Sequence, residues 1–134
     1  MYTHEHQVRV RYGETDQMGY CYYGNYAQFY EVGRVEALRD LGFPYKLLEE
    51  EGVLLPVLDF QIRYLKPAFY DDLLTVKTMI KELPSAKISF EFEMYNDQNE
   101  KINFGTVVLV FIDADSNRPR RAPEELVKKI QTFL

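Results

Sequence analysis

Two hydrophobic periods divide the chain. From Asn25 the residues Tyr26, Phe29, Tyr30, Gly33, Ala37 and Leu41 recur at helical spacing, with Asn25 as N-cap and Gly42 to Pro44 as the stop. Val32, Val35 and Leu38 lie off that stripe, so this helix is apolar over more of its circumference than a surface helix and needs covering. A shorter helical piece, "PYKLLEEEG", follows, and from Val57 strict alternation takes over. Leu58, Phe60, Ile62 and Tyr64 oppose Asp59, Gln61 and Arg63; Leu74, Val76, Thr78 and Ile80 oppose Lys77 and Lys81. Ile88, Phe90, Phe92 and Met94 oppose Lys87, Ser89, Glu91 and Glu93, and Ile102, Phe104, Thr106 and Val108 open a fourth strand. Its second half, "VVLVFI", is apolar on both faces, which predicts a central strand covered on both sides.

The connections "KPAFYDD", "LPSA" and "NDQNE" are short and rich in turn residues, so consecutive strands are expected to pair antiparallel as a meander. An initial strand "HQVRVRY" and an amphipathic tail helix, Pro123 to Leu134, complete the order β-α-β-β-β-β. One long buried helix among antiparallel strands implies an α+β fold, a curved sheet wrapped around that helix. The 134 residues read as a single domain, 1–134, long enough to bury roughly two-thirds of its unfolded surface. An apolar content of 46%, with 15% aromatic residues, fits a compact core and excludes disorder.

The remaining composition narrows the function. One cysteine, Cys21, excludes an internal disulfide, and no Cys/His spacing resembles a metal site. The amino terminus lacks the apolar run of a secretory signal and nothing is long enough to span a bilayer, so a cytoplasmic protein is expected. A net charge of −5 without a basic stripe argues against nucleic acid, and "NRPRR", Asn117 to Arg121, reads as a solvated loop.

Candidate chemistry emerges by elimination. His4 and His6 share one strand face at the amino terminus, without further ligands nearby and far in sequence from any nucleophile they would serve. No serine sits in a G-x-S-x-G elbow, and no glycine-rich phosphate loop is present. Cys21 has no basic partner in the sequence and reads as a small buried apolar residue. Carboxylates and backbone groups remain. The segment "GETDQMGYCYYGNYAQFYEVGR" places Asp16 in a loop that runs into a helix start, where free N–H groups and the positive end of the dipole favour a developing oxyanion. Asp16 there is either a turn cap or a carboxylate that attacks a carbonyl or activates water. The tyrosines around it are either a core plug or the wall of an acyl pocket.

These residues carry a family resemblance. "RYGETDQMGYCYYGNYAQFYEVGRVEALRDLGF", supported by "FQIRYLKPAFYDDLLTV", resembles the hotdog-fold acyl-CoA thioesterases, in the branch of 4-hydroxybenzoyl-CoA thioesterase and the thioesterase encoded with the Tol-Pal system. The resemblance covers nearly the whole chain. It implies a helix wrapped by an antiparallel sheet, a homodimer or homotetramer with sites at the dimer interface, and hydrolysis of an acyl-CoA with no cofactor beyond the coenzyme A of the substrate. By position it implies that Asp16 is the catalytic carboxylate and that Tyr23 contributes the backbone N–H that binds the thioester oxygen; the Tol-Pal branch usually has histidine there and the 4-hydroxybenzoyl branch tyrosine. Lys87 and Ser89 match a segment that runs along coenzyme A, and Lys66 and Arg118 to Arg121 are further cationic candidates for its phosphates. An acyl-carrier-protein substrate and a non-catalytic acyl-thioester-binding protein are the alternatives. Related hydratases and dehydratases require a histidine that the body of this chain lacks.

Overall fold

A computed structural model describes all residues 1–134. The elements run β1 (Tyr2–Arg9), a single 3-10 turn (Tyr12–Glu14), α1 (Asn25–Asp40), α2 (Tyr45–Glu50), β2 (Val53–Leu54), β3 (Val57–Tyr64), β4 (Leu73–Ile80), β5 (Lys87–Tyr95), β6 (Lys101–Val110), β7 (Ile112–Asp113), β8 (Arg118–Pro119) and α3 (Glu124–Gln131). Five strands form one antiparallel sheet in the order β1-β4-β5-β6-β3, and β2, β7 and β8 form a small second sheet. The long α1 lies on the inner face of the main sheet, against β1 and β4.

The expected meander holds only for β4, β5 and β6. The connection "KPAFYDD" does not turn β3 back onto β4; β3 pairs instead with β6 at the far edge, and β1 takes the place beside β4. Hairpin logic fails there because residues 65–72 bind elsewhere: the Leu65 and Lys66 N–H groups donate to Ile102 O, and Val10 exchanges backbone bonds with Asp71 and Asp72. The initial strand accordingly begins at Tyr2 and ends at Arg9, earlier than "HQVRVRY" implied. The small sheet was not anticipated either, and it turns part of "NRPRR" into β8.

Alternation places Leu74, Val76, Ile80, Ile88, Phe90, Phe92, Met94, Ile102, Val107 and Leu109 inward, where they close over Tyr26, Phe29, Tyr30, Ala37 and Leu38 of α1. Tyr30 stacks on Phe92 at 4.4 Å between ring centroids and donates its hydroxyl to Asn103 Oδ1 at 2.6 Å, satisfying a buried polar residue. Gly33 lets the helix touch the sheet: a Cβ there would lie 2.6 Å from Val76 Cγ1 and 2.9 Å from Thr78 Oγ1. The central β6 is fully covered on one face only, since Val107 and Leu109 are buried while Val108 and Val110 stay half-buried. The edge strand β3 is the least covered of the five: Ile62 packs against the core, but its inward-pointing Phe60 and Tyr64 remain 37% and 46% exposed.

Candidate active site

The loop 14–24 is a miniature hairpin leading into α1. Thr15 and Cys21 form an antiparallel bridge, the Asp16 N–H donates to Tyr20 O at 3.0 Å and the Gly19 N–H to Asp16 O at 3.0 Å, with Gly19 at φ +88° making the turn that side-chain-bearing residues resist. Asp16 Oδ1 accepts the Met18 N–H at 2.9 Å, so the turn-capping role is real. No protein hydrogen bond engages Oδ2, and Asp16 also lines a cavity of about 440 Å³.

Tyr23 lines the same cavity, together with Tyr20, Cys21, Tyr22 and Tyr26 from the loop and helix. Asn25 is the first helical residue rather than the N-cap; Gly24 holds the cap position and no side chain caps the helix. The Tyr23 and Gly24 N–H groups donate to no group in the chain. Uncapped donors at the positive end of α1, beside a carboxylate and an apolar wall, form a site able to polarise a carbonyl oxygen.

The opposite wall comes from the end of β3 and the segment beyond it, Tyr64, Leu65, Lys66 and Pro67. Sequence reasoning named Lys66 alone among these. Alternation did put Tyr64 on the inner face, which was the signal that it could approach α1, and its ring lies 5.6 Å from that of Tyr26 and 6.3 Å from that of Tyr23. The Lys66 ammonium is paired with Glu100. Cys21 is buried, and burial first, with the Glu14 charge second, pushes its thiol from 9.0 up to about 11, so it is a protonated wall residue and no nucleophile. Burial likewise raises the Tyr26 phenol to about 12. Its oxygen accepts the Ala68 N–H at 3.1 Å.

Lys87 and Ser89 are not brought to this cavity within one chain. They stand on the outer face of β5, opposite Val110 and Val108, whereas Tyr64 lies opposite Asn103 at the other end of β6. At roughly 3.4 Å per residue these positions are some 20 Å apart along the strand. Arg118, in β8, and Arg120 and Arg121, which follow it, lie outside the lining as well. His4 and His6 sit side by side on β1 and join no cluster of metal-ligating groups.

Comparison with known proteins agrees with this geometry. Residues 10–130 match the model of the thioesterase-like superfamily. The chain is 38% identical over 119 residues to the putative acyl-CoA thioesterase YneP of Bacillus subtilis strain 168, covering 89% of this chain and 86% of that one. It is 32% identical over 124 residues to the acyl-CoA thioester hydrolase YbgC of Escherichia coli O6:H1, covering 92% of each. The crystal structure of a DHNA-CoA thioesterase from Staphylococcus aureus superposes with a TM-score of 0.92 at 32% identity, over 99% of this chain and 93% of that one.

Proposed function

The chain belongs to the thioesterase-like superfamily and has the hotdog fold, and from that premise we propose that it hydrolyses acyl-CoA thioesters, with Asp16 supplying the carboxylate and the Tyr23 N–H receiving the carbonyl oxygen. One observation carries the reading: Asp16, with an unengaged Oδ2, and Tyr23, whose N–H at an uncapped helix start donates to no group in the chain, border one apolar cavity. A thioester carbonyl at the Tyr23 N–H gains positive character at carbon, and the negative charge that builds on oxygen meets a preorganised donor. Asp16 then either attacks that carbon and expels the thiolate, leaving an acyl–aspartyl anhydride that water hydrolyses, or takes a proton from a water that attacks the carbon and expels the thiolate; both routes end in the free acid, and the thiolate takes up a proton to become the thiol. No histidine is required. The names of the relatives, acyl-CoA thioesterase and acyl-CoA thioester hydrolase, support coenzyme A as the carrier, and the tyrosine-rich wall suits an apolar acyl group.

The working unit in this account is at least a dimer. The free edge of β3 offers unpaired backbone groups and exposed Val57, Leu58, Phe60 and Tyr64, the kind of edge that monomers blunt and oligomers use. Pairing two β3 edges antiparallel sets Tyr64 of one copy beside Val57 of the other. Val57 lies opposite Leu109, and Leu109 lies opposite Ile88. Lys87 and Ser89 of the second copy thus come to within a few strand spacings of the first copy's cavity, where the nucleotide end of coenzyme A would emerge.

The test is thiol release from a panel of short, long and aromatic acyl-CoAs by the purified protein. Turnover of at least one member is the expected result, and the panel then ranks acyl groups. No release from any of them, with turnover of the corresponding acyl-carrier-protein thioesters or with binding alone, would overturn the coenzyme A assignment.

A further inference from the structure

We infer that Asn25 is a positioning residue for this site: its side-chain amide ties the Asp16 arm of the loop to the start of α1 and thereby sets the carboxylate against the Tyr23 and Gly24 N–H groups. The inference rests on the reading of Asp16 and Tyr23 given above. Asn25 Nδ2 donates to the Glu14 carbonyl at 2.8 Å, across eleven residues of chain, and the Tyr22 N–H donates to the same oxygen, also at 2.8 Å. One carbonyl oxygen therefore joins the strand that enters the loop to the strand that leaves it and to the helix. Both of its lone pairs are used.

The anchor is itself fixed. Glu14 is buried, its Oε1 accepts the Arg11 N–H at 2.7 Å, and the Arg11 guanidinium reaches Oε2 at 3.3 Å. The other flank is pinned by Cys21 N–H to Ala68 O at 2.8 Å and by the Ala68 N–H to the Tyr26 hydroxyl. Asp16 lies two residues after Glu14, and Tyr23 lies two residues before Asn25. Of the bonds that close this frame, the Asn25 amide is the one that comes from a side chain of α1 and bridges directly to the Asp16 arm. Its position in sequence would suit a helix cap, but the side chain turns away from the helix N–H groups. The amide thus joins the two halves of the site while leaving the Tyr23 and Gly24 donors open.

Asn25→Ala removes the tie, and Asn25→Asp keeps the shape but replaces the donor with oxygen facing a carbonyl. Steady-state kinetics of both, beside the wild type and Asp16→Asn, on an acyl-CoA that the wild type turns over, test the role. Because a displacement of about 1 Å in a reacting group costs on the order of 10²-fold, kcat is expected to fall roughly 10- to 100-fold in both Asn25 variants. KM should stay within about threefold, since the cavity walls are untouched, and thermal unfolding should stay cooperative. A kcat near the wild-type value in Asn25→Ala would overturn the inference. So would loss of cooperative unfolding in both variants, which would make the bond a stability element. If Asp16→Asn is inactive while Asn25→Ala is not, the positioning role alone falls; if Asp16→Asn turns over normally, the catalytic reading fails and takes this inference with it.

Discussion

At the scale of single residues, the site depends on which polar atoms stay unengaged. Asp16 caps its own turn with Oδ1, and no hydrogen bond within the chain engages Oδ2, so the capping role leaves room for the proposed catalytic one. Cys21 shows the opposite case, a reactive atom made inert by its surroundings. Its thiol pKa in the fold lies near 11, above the ordinary 9.0, so the folded state holds its proton longer than the unfolded chain does. The stability this contributes is complete below about pH 9 and is lost as the pH rises toward 11. Two outcomes follow: iodoacetamide at pH 8 should leave native Cys21 unmodified while alkylating it in denaturant, and Cys21→Ala should flatten part of the alkaline fall in unfolding midpoint. Rapid alkylation of the native protein at pH 8 would show an accessible thiolate and contradict this description.

At the scale of elements, the helix and the alternating strands were legible because each carries its own period. Tyr26, Phe29, Tyr30, Ala37 and Leu41 announce α1 without reference to anything else, and β4 and β5 bury the alternating residues the sequence assigns them, whereas in β6 the face expected from Ile102, Phe104, Thr106 and Val108 is not the inner one: Phe104 is exposed while Asn103, Val107 and Leu109 are buried. Strand order was not legible, since local turn chemistry in "KPAFYDD" says nothing about the bonds from Leu65 and Lys66 to Ile102 that carry β3 to the far edge. The site was half legible for the same reason. Asp16 and Tyr23 lie within one motif, but the wall formed by Tyr64, Leu65 and Pro67 arrives through tertiary structure. Gly33 belongs to this scale too, because it sets how closely α1 approaches β4. Gly33→Ala puts a methyl group 2.6 Å from Val76 Cγ1 and should lower stability by about 1 to 3 kcal/mol despite the better helix propensity of alanine, as read by denaturant midpoints. An unchanged or raised midpoint would mean that the helix can lift off the sheet at no cost.

For the whole molecule, the proposal of a shared site rests on the surface left open. The proposed dimer rests on the half-covered face of β6, the exposed β3 edge and the distance of Lys87 and Ser89 from the cavity. Sedimentation at micromolar concentration should therefore give at least twice the 15.9 kDa chain mass. A well-folded, active monomer would remove the basis for a shared site. No helix is long and apolar enough to cross a membrane. The central claim is that the Asp16 carboxylate performs the chemistry at the start of α1, and its most direct test is kcat for Asp16→Asn against the wild type on the best acyl-CoA, with fold and ligand affinity measured alongside. In that variant kcat is expected to fall roughly 10²-fold or more, with cooperative unfolding and binding retained. A variant that stays folded and turns over within about threefold of the wild type would contradict it, and would leave Asp16 as a turn cap.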